Sequence, residues 1–90
     1  MLQLPVSLVQ QTAKDCLAQL LQALGSETAA CVTVNASALE RFDSTALAVL
    51  LELRRVVVSM DKTMDLQALP ARLSDLARLY GIADLLPSQG

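Results

Sequence analysis

Apolar and polar positions alternate along the first eight residues of the chain. The apolar positions are Leu2, Leu4, Val6 and Leu8, separated by Gln3, Pro5 and Ser7. A period of two predicts a half-buried strand, and a proline within it indicates an edge or an interruption. We therefore predict one interrupted strand or a short hairpin at this end of the chain.

The pattern changes to a helical period after Thr12. Apolar residues then recur three or four positions apart, at Ala13, Cys16, Leu17, Leu20, Leu21 and Leu24. This stripe predicts a helix with Thr12 as its N-cap and Gly25 as a left-handed residue after its last turn. Residues 29–34 form a short run of small and β-branched residues. Such a run is typical of a central strand covered on both faces.

Two more helices and one more strand are predicted in the second half of the chain. A helical pattern covers residues 43–58, residues 63–66 form a brief strand, and a third helix extends from Pro70 to Gly81. Proline favours the first helical position and glycine the end of a helix. An apolar tail follows, made of Ile82, Leu85, Leu86 and Pro87.

Strands that alternate with helices predict an α/β fold. Parallel strands need crossover connections, and these are almost always right-handed. We expect a small sandwich of about four mostly parallel strands, with three to four helices largely on one face of the sheet. At 90 residues the chain has room for one core, so residues 1–90 are predicted to form a single domain.

Composition and charge narrow the function classes. The chain is 53% apolar but has one Phe, one Tyr and no Trp, and its net charge is −2. This hydrophobicity argues against disorder. A negative charge with so few aromatic rings also argues against nucleic acid as a partner. The longest apolar run, residues 46–51, is much shorter than the roughly 20 residues that cross a bilayer, so we expect no direct membrane insertion.

Catalytic chemistry has little support in the sequence. Histidine is absent, and this removes the commonest general base and zinc ligand. Cys16 and Cys31 do not form a CxxC motif, and we expect two buried, reduced thiols in a cytosolic protein. No phosphate-binding glycine loop is present, and Ser44 has no histidine or neighbouring lysine to activate it. We therefore expect no enzyme activity, no cofactor and no metal.

The start of the second helix carries the most informative polar residues. Asp43, Ser44 and Thr45 precede a strongly apolar stretch. Either Asp43 or Ser44 would cap the free amides of the helix, which accounts for the acid and one hydroxyl but not for the second. A phosphate on Ser44 or Thr45 could be held by the same amides, although the charge of Asp43 would oppose it.

The second helix also has an apolar arc that is too wide for one face of a sheet. Its members include Ala46, Val49 and Leu53, and either a neighbouring helix covers the excess or another protein docks on it. Under the docking hypothesis these side chains are exposed, and Glu52 and Arg55 lie at the rim of the interface. The candidate partner-binding residues are Asp43, Ser44, Thr45, Ala46, Val49, Glu52, Leu53 and Arg55.

The order acid, hydroxyl, hydroxyl, small residue, leucine at residues 43–47 resembles the STAS domain of anti-sigma factor antagonists and sulphate transporters. The closing pattern is similar to stand-alone STAS subunits related to MlaB of bacterial lipid-transport ABC complexes. Its segments are Leu69-Pro70-Ala71-Arg72-Leu73, Leu79-Tyr80-Gly81-Ile82 and Leu85-Leu86-Pro87. In one departure from the pattern, Ala46 replaces the glycine that usually follows the hydroxyls.

The resemblance implies a non-catalytic cytoplasmic subunit, peripheral to the inner membrane through its partner. That partner would be the MlaF-like ATPase of a phospholipid transporter that maintains outer-membrane lipid asymmetry, and through it the membrane permease. Ser44 then corresponds to the interface hydroxyl and Thr45 to the phosphorylatable one. The alternative is an anti-sigma factor antagonist controlled by phosphorylation at Thr45 or Ser44. A homodimer of the free domain, and a small-molecule pocket beside Asp43, also stay open.

Overall fold

The computed structural model describes residues 2–85 and 88–89, and its elements confirm an α/β fold. The strands are β1 Leu2–Gln3, β2 Ser7–Leu8, β3 Cys31–Asn35, β4 Arg41–Phe42, β5 Thr63–Gln67 and β6 Ser88–Gln89. The helices are α1 Gln10–Leu24, α2 Thr45–Ser59 and α3 Ala71–Leu79, followed by a 3-10 turn at Ala83–Leu85. Leu86 and Pro87 of the predicted apolar tail lie outside the described residues.

All strand pairs in the described residues are parallel. The main sheet has the order β1-β3-β5-β6, so β3 is an inner strand as predicted. Strands β2 and β4 form a separate two-stranded sheet in which Ser7 pairs with Arg41. Of the two N-terminal alternatives, the short hairpin is wrong, because β1 and β2 belong to different sheets and each pairs with a strand further along the chain. The predicted interruption is present, since Pro5 belongs to neither strand.

One face of the main sheet carries the core. Val32 and Val34 of β3 and Leu66 of β5 are fully buried, whereas the alternating residues Thr33 and Asp65 remain partly exposed. The prediction that β3 is covered on both faces is wrong, because the burial alternates along the strand as it does in a sheet with one solvated face. The prediction that the helices lie largely on one face is confirmed.

Helix α1 begins three residues earlier than the sequence predicts, since its N-cap is Val9. Thr12 lies in the first turn of the helix, where its hydroxyl accepts a hydrogen bond of 3.1 Å from the Val9 N–H. Thr12 is therefore not the N-cap. Gly25 follows the helix with φ −61°, so the left-handed conformation expected there is wrong as well. Its N–H still bonds to the Leu21 carbonyl, which continues the helical pattern by one residue.

Helix α3 is confirmed, with a different start. Pro70 has ψ 140° and lies immediately before the helix instead of inside it. Leu73 and Ala77 carry the buried stripe, whereas Tyr80 is 58% exposed. Gly81 has φ +71° and ends the helix as predicted, in the left-handed conformation that glycine adopts without a steric penalty.

The two cysteines have different surroundings. Cys16 faces the core, and this burial raises the pKa of its thiol. Cys31 lies at the start of β3 and is exposed, so the expectation of two buried thiols holds only for Cys16. Within the described part of the chain, none of the helices is both long enough and apolar enough to cross a bilayer.

Candidate partner-binding site

Asp43 connects the starts of two helices. Its Oδ1 accepts a hydrogen bond of 2.9 Å from the Thr45 N–H at the beginning of α2. Its Oδ2 accepts a longer bond of 3.4 Å from the Gln10 N–H at the beginning of α1. Both amides are among the free donors that every helix presents at its N-terminus. The structure thus assigns the capping role to Asp43 and joins the helices through one carboxylate.

These bonds favour the charged form of the carboxylate. The pKa of Asp43 is lowered, first by the bond from the Thr45 N–H, then by one from the Thr45 hydroxyl, with a smaller contribution from the Gln10 N–H. Partial desolvation acts in the opposite direction. A negative group at the start of two helices is also favoured by both helix dipoles.

The two hydroxyls differ in their availability. The Ser44 side chain is exposed and makes no capping hydrogen bond, although its carbonyl accepts a bond from the Leu47 N–H. The Thr45 side chain is half-buried, and its hydroxyl is engaged by Asp43. Of the two, Ser44 is therefore the hydroxyl that is free to meet another molecule.

The expectation that Ala46, Val49 and Leu53 are exposed is wrong. Ala46 and Leu53 are 0% exposed and Val49 is 4% exposed. They belong to the core, where α2 packs against α1 and β5. Of the two explanations for the wide apolar arc of α2, a neighbouring helix that covers the excess is the one that applies. Ala46 and Leu53 can support a docking surface only from beneath, whereas Val49 also lines a groove at the surface.

Glu52 and Arg55 lie on the outer face of α2, one turn apart. The Arg55 Nε donates a 3.0 Å hydrogen bond to Glu52 Oε2, and its terminal nitrogen bonds the other carboxylate oxygen. This pairing lowers the pKa of Glu52 and raises that of Arg55. Both side chains reach the surface, where their charges largely neutralise each other, and their place at the rim of an interface stays a prediction.

The surroundings of this site include residues that the sequence analysis did not select. Helix α1 contributes Ala13, Lys14 and Leu17, which line a groove of about 300 Å³ with three residues of α2. Those three are Thr45, Ala48 and Val49. Ala13 and Leu17 already lay on the predicted stripe of α1, but the sequence did not show that the edge of this stripe lies beside Thr45.

On the other side of Asp43, helix α3 approaches β4. The guanidinium carbon of Arg72 lies 5.7 Å from the centre of the Phe42 ring, in cation–π range. The contact ties α3 to the residue that precedes Asp43. It gives Phe42, one of two aromatic residues in the chain, a structural role beside the site.

The structure gives little support to the hypothesis of a small-molecule site beside Asp43. The depression there has a volume of about 350 Å³ and is lined by Val9, Gln10, Gln11, Arg41 and Asp43. The Asp43 carboxylate within it already accepts bonds from two helix amides, and the charge of Arg41 offsets its own, so the lining does not select a ligand by charge. Among the described residues, no three His, Cys, Asp or Glu side chains are grouped as metal ligands.

A small α/β domain that presents an acid and two hydroxyls at the start of a core helix has the features of a STAS domain. The chain belongs to this class, because the family model described as "Mlab, STAS domain" matches residues 1–87. STAS domains are generally non-catalytic and mediate protein–protein interactions. No curated protein matches the chain significantly.

Proposed function

We propose that this chain is a non-catalytic accessory subunit that binds the ATPase of a phospholipid-transport ABC complex. It would be cytoplasmic and peripheral to the inner membrane through that partner, and would support the lipid asymmetry of the outer membrane. The family match supports an MlaB-like role. The observation that carries the proposal is the exposed, unbonded hydroxyl of Ser44 at a helix start that Asp43 holds in place.

The Asp43 carboxylate would fix the position of Ser44 relative to α1 and α2. Ser44 would then hydrogen-bond to the ATPase, while Glu52 and Arg55 would contact the edge of the interface. Ala46, Val49 and Leu53 would support this surface from the core, since they are buried. A rigid, preorganised contact loses less conformational entropy on binding than a flexible one.

Replacement of Ser44 by arginine tests the placement of the interface. Ser44→Arg introduces a large charged side chain at an exposed position and leaves the core and the Asp43 bonds intact. We expect the variant to keep the circular dichroism spectrum and unfolding midpoint of the unaltered chain. Co-purification with the ATPase should be lost, because a bulky charge at the centre of an interface prevents close contact. Thr45→Arg should also abolish the complex.

Ser59→Arg is the matched control. Ser59 is exposed on the same helix, about 20 Å from its start at 1.5 Å per residue. This variant should retain the complex. If Ser44→Arg co-purifies with the ATPase as well as Ser59→Arg does, the interface does not lie at the start of α2.

The exposed hydroxyl of Ser44 also favours a second candidate, an anti-sigma factor antagonist switched by phosphorylation. A phosphate adds about two negative charges, which would lie beside the Asp43 carboxylate and disrupt docking. Ser44 is more accessible to a kinase than Thr45, whose hydroxyl is bonded to Asp43. Intact-mass analysis of the chain from its native host separates the two functions. A persistently unmodified chain supports the transporter subunit, whereas a regulated phosphorylated fraction supports the antagonist.

A further inference from the structure

The groove between α1 and α2 extends the candidate site from α2 onto the surface of α1. Its apolar lining is formed by Ala13 and Leu17 on α1 and by Ala48 and Val49 on α2. Ala48 is exposed, and Ala13 and Leu17 are half-buried although they pack against the core. Thr45, the neighbour of Ser44 in the chain, also lines the groove.

The size of the groove suits a pair of apolar side chains. Its volume of about 300 Å³ is roughly twice that of a cavity of ~150 Å³ that holds one benzene ring. Two leucine-like or phenylalanine-like groups would fill it. An amphipathic helix presents two such groups on one face when they are three or four residues apart.

The charges at the groove are unequal on its two sides. On the α1 side, Lys14 is exposed and has no ion-pair partner among residues 2–85 and 88–89. On the α2 side, Glu52 is already paired with Arg55. A negative charge on the partner therefore strengthens binding most when it lies opposite Lys14. A charge placed opposite the Glu52–Arg55 pair contributes little.

We infer that the groove between α1 and α2 receives an amphipathic helix of the partner that carries two apolar residues one turn apart and an acidic residue opposite Lys14. This inference rests on the proposed function, in which the start of α2 contacts an ATPase, and it adds α1 to the interface. The helix lies along the groove from Leu17 to Thr45 and approaches Ser44 at one end.

Two variants at exposed positions test the inference in the complete complex with the ATPase. Ala48→Glu places a charge in the groove that repels the acidic helix and blocks its apolar residues. Lys14→Glu reverses the unpaired charge while keeping a good helix-forming residue. We expect each variant to stay folded and to weaken ATPase binding about tenfold or more at low salt. The Lys14→Glu effect should shrink as salt is raised, because exposed charges are screened.

Arg78→Glu is the control for net charge. It makes the same change of two charge units as Lys14→Glu, at an exposed position on α3. We expect it to change ATPase affinity by less than about twofold, since changes to exposed charges outside an interface have small effects on binding. If Lys14→Glu and Arg78→Glu weaken binding equally, the effect is one of overall charge and the acidic helix is ruled out.

The results also separate this inference from the proposed function. If Ser44→Arg abolishes the complex while Ala48→Glu and Lys14→Glu retain it, the ATPase binds at the start of α2 and the groove is not used. If the unaltered chain does not bind the ATPase, both ideas fail. If the chain alone sediments as a dimer and Ala48→Glu makes it a monomer, a second copy occupies the groove and the inference is overturned.

Discussion

Asp43 is a single side chain on which the starts of two helices depend. Its two oxygens bond to amides that are 35 positions apart in the chain, those of Gln10 and Thr45. Most capping residues serve one helix, whose stability they change locally. Here the same carboxylate also reaches the first amide of α1 through a longer bond of 3.4 Å, so it links the starts of α1 and α2 beside Ser44.

The lowered pKa of Asp43 predicts a pH-dependent contribution to stability. A carboxyl whose folded pKa lies below its unfolded value stabilises the fold above the unfolded pKa, and this contribution is lost as pH falls through the folded pKa. The relevant window therefore lies below the ordinary value of 3.8. Asp43→Ala should lower the urea midpoint at pH 7, and its difference from the unaltered chain should shrink towards pH 3. A difference that is equal at both pH values would contradict this account.

Leu53 tests whether the apolar arc of α2 belongs to the core. It is 0% exposed, so Leu53→Ala removes buried methyl groups and leaves a cavity. We expect the free energy of unfolding in urea to fall by about 2–5 kcal/mol. Val58→Ala is the control on the same helix, because Val58 is 49% exposed and its truncation should cost little. Equal losses for the two variants would show that Leu53 is not in the core.

At the scale of elements, helix α2 shows what the sequence could predict. Its bounds followed closely from the polar residues 43–45 and the apolar run behind them, because capping and periodicity are local properties. The sequence did not show which element covers the apolar arc of α2. A helical wheel gives the direction of each side chain but not the neighbour in that direction. Ala46, Val49 and Leu53 were therefore expected at a surface, and they lie in the core.

The short strands and the start of α1 also depend on residues that are distant in the sequence, so local patterns did not predict them. Strand β4 has two residues, Arg41 and Phe42, and its partner β2 lies more than thirty positions earlier, so no local pattern reveals the pair. The start of α1 was placed at Thr12 because threonine is a common N-cap. The carboxylate that reaches the α1 amides comes from Asp43, and the sequence alone does not bring that residue near.

The ends of α1 and α3 predict opposite effects for the same substitution. Gly81 has φ +71°, so Gly81→Ala should lower the free energy of unfolding by about 1–2 kcal/mol through strain in the left-handed conformation. Gly25 has φ −61°, and a Cβ there meets only the Gln22 carbonyl at 3.4 Å. Gly25→Ala should be neutral or stabilise by up to about 1 kcal/mol, because the unfolded chain loses freedom. Urea unfolding measures both, and equal losses would contradict the backbone assignment.

At the scale of the whole molecule, the sheet divides the protein into a helical side and a polar side. The candidate site and the groove lie on helices that cover one face. On the other face the alternating residues of β3 and β5 are partly or fully exposed, among them Cys31, Thr33 and Asp65. A reporter attached to that face would not occupy the proposed interface.

The reaction rates of the two thiols test the division between the buried and the exposed side of the sheet. Cys31 is exposed and Cys16 is 8% exposed with a raised pKa, so less of the Cys16 thiol is in the reactive thiolate form. With a thiol-specific chromophore, we expect one equivalent to react rapidly in the native protein and the second only slowly. In denaturant both should react rapidly, and Cys31→Ser should remove the fast native phase. Two equally fast native reactions would contradict the burial of Cys16.

The parallel arrangement of the strands has a consequence for how the chain reaches its native state. Leu2 pairs with Val34 and Cys31 pairs with Thr63, so each of these contacts closes a loop of about thirty residues. A hairpin, which nucleates within a few residues, is not available to these strands. Because pairings so distant in sequence form slowly, we expect the protein to refold more slowly than a helical bundle of the same length.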